Sequence, residues 1–593
     1  MCGIGGEFRL DGAPPDVAAV ERMLPELASR GPDGEGRWQQ GPVALVHRRL
    51  RIIDLSDAGA QPMVDSELGL ALVFNGCIYN YRELRDELTA AGYSFRSTSD
   101  TEVILKAYHR WGTACVERFY GMFAFALVEL ATHTLVLARD RLGIKPLYLA
   151  EGPGRVRFAS TLPALLAAGD VDTDLDPVAL HHYMSFHSVV PPPRTILAGV
   201  RKLPPATVRV ITADGRSTDT TYWRPEFNRA AAPAMSADEW QERLMAALRT
   251  AVRRRMVADV PVGVLLSGGL DSSLIVALLA EQGQTGLATF SIGFEAAAGE
   301  SGDEFHYSDL MARHFGTDHH QIRIGAQRFV PAVHQAIAAM SEPMVSHDCV
   351  AFHLLSEEVS QRITVVQSGQ GADEILAGYD WYPPMANVAR ADAVEAYARV
   401  FFDRRHDALG GHLAPEWMLD HDASLEFVAA HFGAPGADTA LDAALRLDSL
   451  VMLVDDPVKR VDNMTMAWGL EARVPFLDHE VVELAAACPP ALKLAQGGKG
   501  VLKAASRGIV PDEVIDRPKG YFPVPALRKV DGPVRELVAE ALQAPAARER
   551  GLFRPEYVAH LLAEPDRAEA AAGSNKLWQL GLLELWLQTH DIR

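Results

Sequence analysis

The chain has 593 residues, more than one hydrophobic core usually organises, so we expect at least two domains. A formal net charge of −20 argues against nucleic acid or an anionic membrane surface as a partner, because both attract cationic patches. No apolar run has transmembrane length, no basic and apolar leader opens the chain, and the five cysteines are widely spaced without a CxxC motif. These features predict a cytoplasmic protein without a membrane partner, a disulfide framework or a structural zinc site.

The first 210 residues or so alternate short β-type runs with a few helices. The predicted strands include 43–46, 70–74, 123–127, 134–138 and 208–211, and the predicted helices lie near 81–91 and 101–111. Strands interrupted by few helices favour a layered α+β domain.

The pattern changes after residues 229–236 (RAAAPAMS), a short Pro-containing stretch of small residues that we interpret as a linker. A helix is predicted near 237–257, followed by a strand at 262–266, a Gly-rich turn, a helix to about 282 and a strand at 287–292. A third strand at 363–367 also enters a Gly-rich turn, and the remainder is mainly helical. This order is typical of a parallel sheet with helices on both faces.

Cys2 is the first candidate catalytic residue, because removal of Met1 would expose it as the N-terminal residue. Its own α-amino group, with a pKa near 8, could then act as the base for its thiol. Position 2 alone is a weak signal, because chain termini are often only disordered tails.

Further motifs in the first half strengthen the prediction for Cys2. They are Arg30-Gly31-Pro32-Asp33, His47-Arg48-Arg49-Leu50, Asn75-Gly76-Cys77-Ile78-Tyr79-Asn80 and Ser99-Asp100-Thr101-Glu102. Together with Cys2-Gly3-Ile4, and in this order, they resemble the glutaminase half of the asparagine synthetase family, a class II glutamine amidotransferase.

This resemblance implies a glutamine site around Cys2. The Asn75 side chain and the Gly76 backbone N–H would stabilise the oxyanion formed when Cys2 attacks the glutamine amide. Arg49 would hold the α-carboxylate of glutamine, and Asp100 would pair with its α-ammonium. The alternatives are ordinary surface charges for Arg49 and Asp100 and a hairpin turn for Asn75-Gly76.

The run Ser267-Gly268-Gly269-Leu270-Asp271-Ser272-Ser273 follows the predicted strand at 262–266 and opens a helix. Such a loop can cradle an anion with backbone N–H groups and a helix N-terminus. It lacks the lysine of a Walker A motif and resembles the SGGxDS loop of enzymes that split ATP into AMP and pyrophosphate.

A second loop, Ser368-Gly369-Gln370-Gly371-Ala372-Asp373-Glu374, follows the third strand. Asp271 and Asp373 offer oxygen ligands suited to Mg²⁺ on the ATP triphosphate. The resemblance places the adenosine against the backbones of Leu265, Ile292 and Gly369 and implies that Lys499 stabilises charge on the adenylate or on pyrophosphate. The full set of predicted ATP-binding residues is Leu265, Ser267, Gly268, Gly269, Asp271, Ser272, Ser273, Ile292, Ser368 and Gly369. Downstream matches to the family are Asp462-Asn463-Met464, Glu471–Asp478 and Arg517-Pro518-Lys519.

The chain departs from the family pattern at several places. Cys77 and Gln370 replace residues that are usually Glu in the family, and Gln cannot act as a general base. The segment from Glu342 to Asp348 also differs from the commonest family version. The stretches 184–193 and 378–384 resemble a bacterial subgroup that amidates the dipeptide N-acetylglutaminylglutamine. The acceptor therefore stays open between aspartate and an acylated glutaminyl dipeptide.

We predict an N-terminal-nucleophile α/β/β/α sandwich at 1–228, a linker at 229–236, and an adenine-nucleotide α-hydrolase-like synthetase domain with a helical C-terminal part at 237–593. Cys2 would release ammonia from glutamine, and the second domain would adenylate and amidate a carboxylate with ATP and Mg²⁺. The expected partners are small molecules, and a homodimer would be in keeping with the resemblance. The alternatives are a carboxylate-activating cyclase of β-lactam synthetase type and a catalytically inactive scaffold.

Overall fold

The computed structural model describes residues 2–227, 235–294, 304–346, 348–518, 530, 532–565 and 575–593. We call residues 2–227 the first half and residues 235–593 the second half. The predicted linker, 229–236, lies largely outside the described residues, so the domain boundaries stay a prediction.

Two six-stranded antiparallel sheets form the centre of the first half. The strands are β1 (Gly3–Arg9), β2 (Gly34–Gln40), β3 (Val43–Arg49), β4 (Met63–Asp65), β5 (Leu70–Ile78), β6 (Gly121–Glu129), β7 (Thr134–Arg139), β8 (Tyr148–Gly152), β9 (Arg155–Ala159), β10 (Arg201–Lys202), β11 (Thr207–Ile211) and β12 (Ser217–Thr221). Their orders are β10-β8-β9-β1-β3-β2 and β12-β11-β7-β6-β5-β4. Apolar side chains of both sheets, such as Ile4, Phe8 and Val73, form one buried cluster between them. Alternating strand patterns thus produce two packed sheets.

Helices cover the outer faces of these sheets. They are α1 (Val17–Glu26), α2 (Tyr81–Ala90), α3 (Asp100–Trp111), α4 (Leu162–Ala168) and α5 (Pro177–Ser185). Helix α1 packs against α4, and α2 packs against α3. Ser99 caps α3 by accepting a hydrogen bond from the Thr101 N–H, and this cap fixes Asp100 at the first position of the helix. The predicted α/β/β/α sandwich is confirmed.

A five-stranded parallel sheet organises the second half. Its strands are β13 (Val262–Leu265), β14 (Ala288–Phe294), β15 (Asp318–Ile324), β16 (Val365–Gln367) and β17 (Glu471–Arg473), in the order β15-β14-β13-β16-β17. Strand β13 lies at the centre of the sheet, with β14 and β15 on one side of it and β16 and β17 on the other. Their order reverses at β13, which is where open α/β sheets bind ligands.

The second half is otherwise mainly helical, as predicted. Its helices are α6 (Ala237–Arg254), α7 (Leu270–Glu281), α8 (Phe305–Phe315), α9 (Phe329–Ala339), α10 (Asp348–Ser360), α11 (Ala372–Ile375), α12 (Tyr382–Met385), α13 (Ala393–Phe401), α14 (His406–Leu409), α15 (Ala423–Gly433), α16 (Ala440–Leu447), α17 (Lys459–Met466), α18 (His479–Ala487), α19 (Pro490–Leu494), α20 (Gly500–Ser506), α21 (Asp512–Ile515), α22 (Gly532–Gln543), α23 (Pro545–Arg550), α24 (Pro555–Ala563) and α25 (Lys576–Thr589). None of the described helices is long and apolar enough to cross a membrane.

The two halves share hydrophobic clusters. One cluster joins residues of α2, α3 and β5 with residues of α6, α7 and β13, and another joins α1, α4 and α5 with α9, α10 and α25. Apolar side chains of both halves are therefore buried against each other, which holds the two sites described below in a fixed relation.

Candidate active sites

Cys2 lies directly before β1 at the wall of a cavity of about 30 Å³. The cavity is lined by Cys2, Arg49, Leu50, Ile52, Ile53, Gly59, Gln61, Phe74, Gly76, Cys77, Ser99, Asp100, Thr101 and Glu471. Burial raises the pKa of the Cys2 thiol, so the thiol is neutral near pH 7 and needs a base to become a nucleophile.

Asn75 and Gly76 lie on β5 beside Cys2. The Cys2 backbone N–H donates to Asn75 Oδ1 at 3.1 Å, while Asn75 Nδ2 is buried without a hydrogen-bond partner among the described residues. A buried N–H donor without a partner is costly unless a ligand uses it, and this one is suited to an oxyanion. A Cβ at Gly76 would lie 2.2 Å from the Met122 carbonyl oxygen, which explains why glycine is required there.

The charged residues predicted for glutamine binding both line this cavity. The Arg49 guanidinium is held by the carbonyl oxygens of Asp54 and Ser56. Asp100 accepts a hydrogen bond from the Ile78 N–H at 3.0 Å, and burial raises its pKa to about 6. Of the predicted residues, one cation and one carboxylate thus face the same small cavity, as an amino-acid substrate would require.

Two other lining residues carry chemistry that the motifs did not reveal. Cys77 is 1% exposed, burial raises its thiol pKa, and Arg473 Nη2 lies 3.7 Å from its sulfur. Glu471, from β17 of the second half, also lines the cavity and adds a carboxylate to it. Its family motif was recognised in the sequence, but its place in this cavity depends on how the halves pack.

The second site is a cavity of about 310 Å³ at the carboxyl ends of β13, β14 and β16. Parallel strands gather such loops at one edge of the sheet. Of the predicted ATP-binding residues, Leu265, Ser267, Gly269, Asp271, Ser272, Ile292, Ser368 and Gly369 line the cavity. Gly268 and Ser273 do not: the Gly268 carbonyl accepts a hydrogen bond from Arg517, and the Ser273 side chain is fully buried.

Lys499 forms ion pairs with both predicted Mg²⁺ ligands, Asp271 and Asp373. Its Nζ lies 2.7 Å from Asp271 Oδ2 and 2.9 Å from Asp373 Oδ1, and these carboxylates raise the pKa of Lys499 although burial opposes them. Because both carboxylates reach one cation, their placement fits a shared Mg²⁺ with hard oxygen ligands. A Cβ at Gly378 would lie 2.1 Å from Asp373 Oδ1 and 2.4 Å from Lys499 Cε, so a methyl group there would displace both side chains.

Another part of the same cavity is lined by Asp348, Tyr379, Arg460 and Gln370. Arg460 Nη1 lies 3.4 Å from Asp348 Oδ2, so a cation and an anion stand side by side. Tyr379 donates to Glu374 Oε1 at 2.7 Å, and burial together with Asp373 raises the pKa of Glu374 to about 7. The sequence motifs did not single out Arg460 or Tyr379 as individual site residues.

Buried ion pairs connect the two halves close to Cys2. Arg30 donates to the Cys2 carbonyl at 3.3 Å and pairs with Asp462 at 2.8 Å, and Lys145 reaches the same Asp462 at 3.1 Å. Asp462 is thereby linked through Arg30 to the backbone carbonyl of Cys2. Such fully buried pairs fix geometry because removing one partner leaves an uncompensated charge.

The His181-His182 pair is hydrogen-bonded within the protein, in keeping with a structural role. Both Nδ1 atoms contact Ser424 Oγ, and His181 Nε2 lies 3.0 Å from His406 Nδ1. Asp422 is close enough to complete a three-ligand set, but its carboxylate caps α15 through the Leu425 N–H. Hydrogen bonds therefore account for the whole cluster.

Comparison with known proteins agrees with this two-site geometry. A family model described as asparagine synthase matches residues 243–588, and one described as a glutamine amidotransferase domain matches residues 1–223. Asparagine synthetase [glutamine-hydrolyzing] 1 of Bacillus subtilis is 31% identical, over 99% of this chain and 96% of the relative. A putative asparagine synthetase [glutamine-hydrolyzing] of Mycobacterium tuberculosis is 33% identical, over 96% and 93%. An amidase named chyE from Penicillium rubens is 27% identical, over 88% and 87%.

Proposed function

Because the chain belongs to the asparagine synthase family, we propose that its two cavities perform the two half-reactions of asparagine synthesis. The chain is a carbon–nitrogen ligase that uses glutamine and ATP for amidation. Glutamine hydrolysis takes place in residues 1–228, and the ATP chemistry takes place in residues 237–593.

In the first cavity, Cys2 attacks the side-chain amide of glutamine. Once Met1 is removed, the Cys2 α-amine takes the proton of the thiol, whose pKa is raised by burial. Asn75 Nδ2, which has no partner among the described residues, donates to the oxyanion together with the Gly76 N–H. Arg49 binds the α-carboxylate and Asp100 the α-ammonium, which holds the side-chain amide against Cys2. As the oxyanion collapses, the C–N bond breaks, and the proton taken up by the Cys2 amine passes to the leaving nitrogen, which departs as ammonia. Water then hydrolyses the γ-glutamyl thioester to glutamate and the free thiol.

In the second cavity, the SGGLDSS loop and the N-terminus of α7 hold the phosphates of ATP. Asp271 and Asp373 would hold Mg²⁺, which neutralises charge on the triphosphate. Lys499, already placed between these carboxylates, stabilises the negative charge that develops as pyrophosphate leaves. Pyrophosphate leaves as the acceptor carboxylate attacks the α-phosphorus, and ammonia from the first cavity then attacks the acyl carbon of the resulting adenylate and releases AMP.

The adjacent charges of Arg460 and Asp348 favour aspartate as the acceptor. Arg460 suits the α-carboxylate of an amino acid and Asp348 its α-ammonium. An acylated glutaminyl dipeptide has no free α-ammonium for Asp348. The stretch 378–384 contributes Gly378 and Tyr379 to the cavity, but no described residue of 184–193 lines it. The choice of aspartate as the acceptor rests on this pair of opposite charges, Arg460 and Asp348.

Pyrophosphate release with a panel of acceptors tests this assignment. We expect release with aspartate, and none above background with N-acetylaspartate, in which a neutral acetamido group replaces the ammonium, or with N-acetylglutaminylglutamine. An Asp348→Asn variant should lose the discrimination between aspartate and N-acetylaspartate. Release with the dipeptide and none with aspartate would contradict the proposed acceptor.

A further inference from the structure

Glu471 brings a carboxylate of the second half into the cavity that contains Cys2. The residue is 1% exposed and lies on β17, whose register with β16 pairs Val365 with Glu471. Among the residues that the structure describes, every other one that lines the cavity belongs to the first half, between Cys2 and Thr101. The cavity is therefore completed by a charge that the first half does not supply.

Arg473 holds Glu471 in place and keeps it charged. Its Nε lies 2.5 Å from Glu471 Oε1, and its Nη1 donates to the carbonyl oxygens of Arg255 and Val257. Burial alone would raise the pKa of Glu471, but the neighbouring guanidinium lowers it to about 2. Glu471 is thus a fixed carboxylate that remains ionised at neutral pH.

The charges that face the cavity are Arg49, Asp100 and Glu471. Asp100 and Glu471 are close enough for the charge of Glu471 to contribute to the raised pKa of Asp100. A cation bound between two such carboxylates relieves their repulsion, whereas Arg49 serves an anionic group. A zwitterionic amino acid matches this arrangement, with its carboxylate toward Arg49 and its ammonium toward the two acids.

We propose that Glu471 binds the α-ammonium group of glutamine together with Asp100, so that the second half of the chain completes the glutamine pocket of the first. Cys77, whose sulfur is 3.7 Å from Arg473, contributes no charge there. This inference rests on the proposed glutaminase function of the Cys2 cavity. It makes Glu471 a specificity determinant for the amide donor, and it makes glutamine a ligand that bridges both halves.

The test compares hydrolysis of glutamine with hydrolysis of its deamino analogue, glutaramic acid, by ammonia release. Wild-type protein should prefer glutamine by at least about a hundredfold in kcat/KM, because the analogue lacks the group that both acids bind. Glu471→Gln should reduce this preference about tenfold or more by lowering kcat/KM for glutamine alone. The double variant C77E/E471Q, which returns a carboxylate beside Arg473, should restore most of the preference.

Glu7→Gln is the matched control, because Glu7 is also a buried carboxylate paired with an arginine, Arg157, but does not line the cavity. It should leave the preference unchanged. If Glu471→Gln does not fold, Glu471→Asp keeps the charge beside Arg473 but withdraws it by one methylene, and it should still reduce the preference several-fold.

An unchanged preference in the folded Glu471 variants would overturn the inference. An equal loss with both substrates would do so as well, because it would assign Glu471 to the Cys2 amine or to folding. Wild-type protein that hydrolyses neither substrate would instead refute the proposed function itself.

Discussion

Asp100 should show a trade-off between glutamine binding and stability. Burial raises its pKa from 3.8 to about 6, and one pKa unit corresponds to about 1.4 kcal/mol. A raised carboxyl pKa means that the folded protein binds this proton more tightly than the unfolded chain does. Stability is therefore lost as pH rises from about 4 through 6, and ionised Asp100 costs the fold about 3 kcal/mol above pH 7.

Asp100→Asn removes that cost and keeps an oxygen that can accept the hydrogen bond from Ile78. We expect about 3 kcal/mol of added stability at pH 7.5 and about half of that at pH 5. For a cooperative unit of about 220 residues, 3 kcal/mol raises the thermal midpoint by about 6 °C. The kcat/KM for glutamine hydrolysis should fall by about tenfold to a hundredfold, because the substrate ammonium loses a charged partner.

Differential scanning calorimetry at both pH values, with Asp438→Asn as an exposed control, measures the stability effect. A variant that is destabilised, or stabilised equally at pH 5 and pH 7.5, would show that ionisation of Asp100 does not destabilise the fold.

Three further variants test the second site and the contact between the halves. Lys499→Ala should lower pyrophosphate release by about a hundredfold to a thousandfold while glutamine hydrolysis continues. An equal loss of pyrophosphate release and glutamine hydrolysis would show that Lys499 has no specific role in the ATP chemistry. Gly378→Ala should abolish pyrophosphate release because the added methyl group clashes with Asp373 and Lys499. Gly433→Ala, which has open space around it, should leave pyrophosphate release unchanged. Equal release by the two variants would show that Asp373 and Lys499 can move aside without loss of function. Asp462→Asn should destabilise the fold by about 3–5 kcal/mol because Arg30 and Lys145 stay buried. Asp516→Asn, which breaks an exposed pair with Arg507, should leave the thermal midpoint nearly unchanged in the same thermal unfolding assay, and equal shifts for the two variants would contradict this assignment.

Local patterns predicted a layered α+β first half and the start of the parallel sheet, and the family resemblance supplied the sandwich and the candidate site residues, most of which line the two cavities. The strand before the SGGLDSS loop and the cap before Asp100 are signals carried by neighbouring residues, so the sequence reveals them directly. The helix predicted to reach residue 257 ends at Arg254, a difference within the usual uncertainty of helix ends.

What could not be predicted depends on tertiary packing. Strand β15 (DHHQIRI) is largely polar because it is the edge strand, and β17 has only three residues, so neither shows a clear strand pattern. Glu471 reaches the Cys2 cavity only because β17 docks on β16 beside the first half. Arg460 and Asp348 meet from two different helices, α17 and α10, and no spacing along the chain encodes that pairing.

In the proposed mechanism, Cys2 releases the nitrogen that the second site attaches to the acceptor. Wild-type and Cys2→Ala protein are incubated with ATP, aspartate and amide-¹⁵N-glutamine, and the product amide is detected by NMR. We expect ¹⁵N-labelled asparagine from the wild type, none from Cys2→Ala with glutamine, and asparagine from both when ammonium is added. Labelled asparagine from Cys2→Ala would show that the nitrogen reaches the acceptor without Cys2.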